Sequence, residues 1–367
     1  MKLNAFKFRI LLIFLILASV SVKSQSFTKE DQIVRTFALA DDTEVEITNK
    51  YGDITIESWD VDSVKIEIVY KVTSAKKSML SMIYDAINFD FKANEYYVYV
   101  KTNFEGRSSF WFDVSDIANN LFTAGTQTSI DYTIYIPAKN HLSLNLKYGN
   151  VYMANYTGHF ELLLSNGDFK AHNLTGENEL EIEFGDATIN RISDGKVSVS
   201  YGTIEIEDAE ELSLIGQSSE INFGKINNFT IDSKRDKISI EEVSSISGTT
   251  YFSRLTVDEI VSMLDISSRY GSVKLKEIGA EVSNIKLMSY NTSVNLYLQQ
   301  NKHYFISLIS DDKADVTYSA DLGEFTIKEL PGKKKLMQAE CLIGDKAIAI
   351  PIIIDIKSGL LTFKLQD

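Results

Sequence analysis

Side chains able to do chemistry are sparse in this 367-residue sequence, and their spacing argues against most of what they could do. His141, His159, His172 and His303 are the nitrogen donors a transition metal would want. They lack the short fixed intervals of a zinc motif, so no metal site is expected. Asp53, Asp168 and Asp186 each follow a glycine at a recurring phase, a placement that could form a calcium ladder. Clustered carboxylates with a basic residue also carry polysaccharide cleavage on β-helical enzymes. That chemistry needs a cleft walled by long loops, and these aspartates fall on outward positions of short turns, so a solvated acidic surface is the expectation. No nucleophile elbow, phosphate-cradling loop or Cys/His pair occurs. Cys341, the single cysteine, reads as a small buried apolar residue without a disulfide framework. No catalytic residue, no metal and no cofactor are expected, and the chain reads as a non-enzyme.

Aromatic side chains offer contact rather than catalysis. Phe110, Trp111 and Phe112 are consecutive, so a strand must place at least one ring on each face, which makes them the candidate partner-binding site. The competing reading has them capping an open sheet edge. Tyr148, Phe184, Tyr201, Phe223, Phe252 and Tyr270 recur at one phase, and stacked aromatics can bind sugars. Their parity matches the apolar residues before them, which predicts that they point inward and build core.

The element positioning all these residues is a short repeat. Leu142, Leu144 and Leu146 share the parity of Tyr148, whereas Val151 and Met153 after Gly149 have the opposite parity. A phase flip across two residues means that a strand turns a corner, and glycine suits a corner because it tolerates positive φ. Twelve such anchors occur, and nine are followed by glycine: Gly52, Gly149, Gly167, Gly185, Gly202, Gly224, Gly271, Gly323 and Gly359. Asp236, Ser253 and Thr292 take the other three places. The chain holds only 19 glycines, so this concentration is structural. From Tyr148 the anchors are spaced 18, 18, 17, 22, 12, 17, 18 and 21 residues apart, a period that belongs to solenoids. The predicted fold is therefore all-β, a parallel β-solenoid of coils of about 18 residues whose strands stack ~4.8 Å apart.

Organisation follows from departures from that repeat. Residues 25–73 hold N-terminal strands and a first coil, and 74–126 form an insertion with Met79, Met82, Ile83, Ala86 and Ile87 on one helical stripe. The main array occupies 127–298, and 299–367 carry coils with longer loops, including the basic Lys333-Lys334-Lys335. Residues 1–24 read as a signal peptide, with Lys2, Lys7 and Arg9 before an apolar stretch from Ile10 to Val20. The expected location is accordingly periplasmic, outer-surface or secreted, with no integral membrane segment after cleavage. Net charge −14 opposes binding to nucleic acid.

The Tyr-Gly-x-Ile/Val-x-Ile repeats behind a signal peptide, with Tyr135-Ile136-Pro137 opening the main array, resemble the bacterial putative-adhesin family of unknown function. The likeness covers nearly all of 27–367. It implies an adhesive β-solenoid in the cell envelope and offers no catalytic residues to carry over. The insertion and the non-aromatic anchors Asn166, Arg235 and Asn291 depart from a regular array. The functional expectation is a structural or adhesin-like envelope protein that binds a glycan or an envelope protein. A β-helix polysaccharide lyase or hydrolase, or a periplasmic scaffold protein, is the alternative.

Overall fold

The structure is a computed structural model that describes residues 26–104, 125–329 and 336–366. The signal peptide, Phe110-Trp111-Phe112 and Lys333-Lys334-Lys335 lie outside the described residues. The described residues hold 25 strands in one hydrogen-bonded, mostly parallel sheet that does not close into a barrel, with one short α-helix. The described residues form two compact units, one of 26–31, 70–88, 104 and 125–129, the other of 32–69, 89–103, 130–329 and 336–366.

The larger unit is the solenoid. Its coils keep one register throughout, because a slip of one residue would turn every buried side chain outward. Ile47, Leu144, Leu162, Leu180, Val197, Leu214 and Ile231 stand one above another in consecutive parallel strands. Across the coil, Ile54, Val151, Phe169, Ala187, Ile204, Ile221, Ile238 and Leu255 form the facing column. Every one of these is at most 2% exposed, so the core is a narrow apolar seam running the length of the stack. The second bend of each coil is gentler than the corner. Strands such as Phe169–Glu183 and Asp186–Ser200 pass through it continuously, with a register shift between Leu174 and Glu177.

The sharp corner is made by the anchor and not by the glycine. Tyr51, Tyr148, Asn166, Phe184, Tyr201, Ser218, Arg235, Phe252, Tyr270, Asn291 and Ser358 all have φ between 50° and 71°. A left-handed residue costs roughly 1–2 kcal/mol, so each corner carries local strain that the stacked coils must hold. They hold it with a ladder of backbone bonds in which the amide of one anchor donates to the carbonyl before the next: Tyr148 to Ser165, Asn166 to Glu183, Phe184 to Ser200, at 3.0, 2.9 and 3.0 Å. Glycine follows for a different reason. A Cβ added to Gly149, Gly167, Gly185 or Gly202 would overlap the carbonyl oxygen of the corner glycine one coil earlier. The expectation that these glycines serve positive φ is corrected to one of close backbone approach; Gly52, with φ 154°, and Gly323 are the two that combine both features or only the first.

Two anchors are misplaced in the sequence reading. Phe223 lies inside the strand Glu220–Lys234, 3% exposed, and Gly224 sits at the gentler bend against Glu207. The true corner is Ser218-Ser219, which replaces the irregular 22 and 12 spacing with two coils of 17. Gly323 ends the 3-10 turn Ala320–Leu322 with φ 106° and belongs to no coil. Ser219, Asp236, Ser253 and Thr292 solve the corner without glycine by turning small polar groups inward. Asp236 accepts from the Ser219 amide at 2.8 Å and from Ser233 Oγ at 2.6 Å, and the Asp236 amide donates to Ser253 Oγ at 3.1 Å.

The C-terminal spacing is long because the chain skips a level and returns. Ile350–Lys357 pairs in parallel with Asn284–Tyr290 on one side and Tyr304–Asp311 on the other, and Leu336–Ile343 closes that end antiparallel to Tyr304–Asp311. Within the smaller unit the helix Lys77–Ala86 buries Leu80, Ile83, Tyr84 and Ala86. The predicted stripe is thus rotated: Met82 is 48% exposed, because Leu80 and Tyr84 complete the i, i+3, i+4 set with Ile83. Tyr84 stacks on Tyr70 with centroids 5.1 Å apart, and Lys29 lies over its ring at 3.7 Å.

Candidate functional site

The left-handed anchors decide where the corner aromatics point. A residue with φ near 55° leaves the alternation of the strand that leads to it, so its Cβ swings out of the seam. Tyr148, Phe184, Tyr201, Phe252 and Tyr270 are 38–51% exposed, which overturns their predicted inward placement; Tyr51 stays buried at 4%. The rings stack along the corner. Tyr51 and Tyr148 lie 5.5 Å apart at 7°, Phe184 and Tyr201 5.1 Å apart at 8°, and Phe252 and Tyr270 5.0 Å apart at 17°. Asn166, Ser218 and Arg235 interrupt the ladder, dividing it into three aromatic steps.

The third step is the richest. Tyr251 meets Phe252 edge to face at 4.5 Å and Tyr270 at 5.7 Å, while Tyr290 meets Tyr270 edge to face at 5.4 Å. All four rings are 38–50% exposed. A groove of about 520 Å³ runs beside Tyr270 and Tyr290, lined also by Arg269, Met288, Asp355 and Lys357. On the other side, a groove of about 610 Å³ follows Phe252 and Tyr270 with Arg235, Lys237, Arg254 and Glu220. The chain therefore presents exposed aromatic faces between rims of mixed charge, in which Lys237 lies 2.6 Å from Glu220 and Lys357 3.8 Å from Asp355. Desolvation by the neighbouring rings and proximity to Tyr290 raise the Tyr270 hydroxyl above its ordinary value, so it is a hydrogen-bond donor at neutral pH. Rings, hydroxyls and guanidinium groups on a rigid scaffold are the parts from which a sugar-binding or protein-binding surface is made.

The carboxylates that follow the corner glycines are committed to the scaffold. Asp53 Oδ1 accepts from the Asn150 amide at 2.8 Å, Asn150 Oδ1 from the Asp168 amide at 2.9 Å, Asp168 from the Asp186 amide at 3.2 Å, and Asp186 from the Thr203 amide at 2.9 Å. Each side chain thus satisfies the backbone of the next coil, and they form a hydrogen-bond ladder along the stack. Cys341 is buried, its thiol raised by burial, with Sγ 3.8 Å from the Leu322 carbonyl. His172 is exposed and His303 accepts from the Asp345 amide at 2.8 Å. His141 and His159, in contrast, lie beside each other with ring centroids 4.4 Å apart. Their separation of 18 residues is one coil, a signal that was present in the sequence once the period was known. Tyr251 and Tyr290 were missed because they sit one residue before the anchor phase.

No family model matches the chain, and no curated protein does either. The chain is similar to the crystal structure of a "putative cell adhesion protein" from Clostridium sporogenes ATCC 15579, with 10% identity, 92% of this chain and 100% of that one covered, and a TM-score of 0.20. A likeness of that size carries no argument about function. Among the described residues no helix is long and apolar enough to cross a membrane.

Proposed function

We propose that this is a non-enzymatic, adhesin-like protein of the cell envelope that binds a glycan along the exposed corner ladder, centred on Phe252 and Tyr270. The observation that supports this reading is the four-ring cluster of Tyr251, Phe252, Tyr270 and Tyr290, in which strained corners turn Phe252 and Tyr270 out of the seam beside Tyr251 and Tyr290, which strand alternation already places outside. Holding large aromatics half-exposed at positions that stacking alone does not require favours a contact role. Arg235, Arg254 and Arg269 border the cluster, with Lys237 and Lys357 paired to Glu220 and Asp355, and the guanidinium groups suit a glycan bearing carboxylates or sulfates over a neutral one. A binder is favoured over a polysaccharide-cleaving enzyme because Asp53, Asp168 and Asp186 are engaged by backbone amides of the next coil.

The test is binding of the full chain to a panel of acidic and neutral oligosaccharides, compared with a Phe252→Ala/Tyr270→Ala variant. Loss of binding with little change in melting temperature is expected, because both rings are about half exposed. Binding that is untouched by the double substitution refutes the site. Glycan panels that remain silent while an envelope protein is captured through the same rings would transfer the reading to a protein partner.

A further inference from the structure

His141 and His159 belong to a four-level column on the outer face of the solenoid. Glu44 pairs with His141 in neighbouring parallel strands, and the register of Leu142 with Phe160 and of Phe160 with Asn178 places His159 beside His141 and Glu177 beside His159. Glu161 lies two residues after His159, so both side chains leave the same face of the strand. The result is a cluster whose ligating atoms all lie within 4.8 Å of one another. His159 Nε2 is 3.1 Å and His141 Nε2 3.4 Å from the same Glu161 oxygen, Oε1.

From this geometry we propose that His141, His159 and Glu161 bind one divalent transition cation of the zinc type. A tetrahedral site with bonds of about 2.0–2.1 Å has donor-to-donor edges of roughly 3.3–3.4 Å, close to the two imidazole-to-carboxylate distances. The orientation of the donors is prepared as well. His159 Nδ1 lies 3.3 Å from Glu177 Oε2, which fixes the ring with Nε2 turned toward Glu161, the carboxylate–histidine arrangement that supports metal ligands. His141 Nε2 is shielded from solvent and makes no hydrogen bond, a ligand atom that faces the Glu161 and Glu44 carboxylates at 3.4 and 3.9 Å. Glu44 Oε1, 3.9 Å from His141 Nε2, stands where a fourth ligand or a bound water would complete the shell. Two imidazoles with a carboxylate select zinc, cobalt, nickel or copper over calcium or magnesium, which prefer an all-oxygen shell. The three side chains are 29–40% exposed, which places the cluster at the surface of the coil.

The full chain, carrying no histidine tag, is titrated with zinc chloride by calorimetry and with cobalt(II) by visible absorption, at neutral pH. One equivalent of zinc and a tetrahedral cobalt spectrum are expected. His141→Ala and His159→Ala should each weaken binding by about 100-fold or more and abolish the cobalt bands, and Glu177→Gln should weaken it by about 10–100-fold. His172→Ala should change nothing. Glu161→Gln serves if a histidine variant loses its circular dichroism. A wild-type chain that takes up no zinc at micromolar concentration, or one whose stoichiometry and affinity survive His141→Ala and His159→Ala in folded protein, overturns the site.

Discussion

Gly185→Ala separates two explanations of the corner glycines. If glycine were needed only for backbone freedom, alanine would be harmless, because Gly185 is not in the left-handed region and the left-handed residue is Phe184, with φ 55°. Close approach predicts the opposite. An added methyl overlaps the Gly167 carbonyl oxygen and stands 2.8 Å from its carbon, where ordinary contact begins at 3.4 Å. The coils must therefore part at this corner by more than the roughly 0.6 Å shortfall at the carbon alone, in a backbone packed on both sides. Parting them strains the bonds from Asn166 to Glu183 at 2.9 Å and from Asp186 to Asp168 at 3.2 Å. Weakening two hydrogen bonds at about 1 kcal/mol each, with an overpacking cost of about 1–3 kcal/mol, gives a destabilisation of about 3–5 kcal/mol. Urea denaturation followed by circular dichroism measures it, with local unfolding of neighbouring coils visible as loss of a single sharp transition. A Gly185→Ala variant that unfolds like the wild type would refute the reasoning.

Phe184→Gly should cost little or be neutral, since relief of a left-handed phenylalanine, about 1–2 kcal/mol, offsets the lost stack on Tyr201, about 0.5–1.5 kcal/mol; a loss above 3 kcal/mol by the same denaturation would contradict this. Ile204→Ala, in the fully buried column, should cost about 2–5 kcal/mol, whereas Ile215→Thr, at a position 60% exposed, should leave the midpoint unchanged. Burial raises the Asp236 carboxyl above its ordinary value despite hydrogen bonds from Ser233 and the Ser219 and Lys234 amides. A raised carboxyl favours the folded state when protonated, so its contribution is full below its ordinary value of 3.8 and is lost as pH rises through the folded-state value. Comparing Asp236→Ser with wild type across the acid-to-neutral range should therefore show a stability difference that shrinks as pH rises, and a constant difference would exclude the linkage. Lys237→Ala removes an exposed pair with Glu220 at 2.6 Å and should shift stability by less than about 1 kcal/mol, even at low salt.

The parallel solenoid was legible because its cause is local and repeated. Alternating Leu142, Leu144 and Leu146, a phase flip, and a glycine at an 18-residue interval specify strand, corner and coil length without any long-range knowledge. What the alternation could not say is where a residue in the left-handed region points, because parity holds only while the chain stays extended. Tyr148, Phe252 and Tyr270 therefore read as core and emerged as surface. Glycine likewise misled at Phe223-Gly224, where a close approach to Glu207 at the second bend mimics a corner, while Ser218-Ser219 turned the true corner with a buried hydroxyl that no motif announces.

The candidate sites divide in the same way. Residue type alone identified the aromatic anchors and the aspartates behind the glycines, since both recur at a fixed phase of the repeat. Tertiary structure decided their roles. Stacking brings each aspartate under the next coil's amide, and it sets Tyr251, Phe252, Tyr270 and Tyr290 into one exposed cluster. It also closes 18 residues of chain into 4.4 Å between the rings of His141 and His159. Sequence by itself determined the period, and with it the apolar seam. Which polar and aromatic groups become neighbours was decided only when the coils stacked, because contact between levels depends on register and corner geometry rather than on distance along the chain.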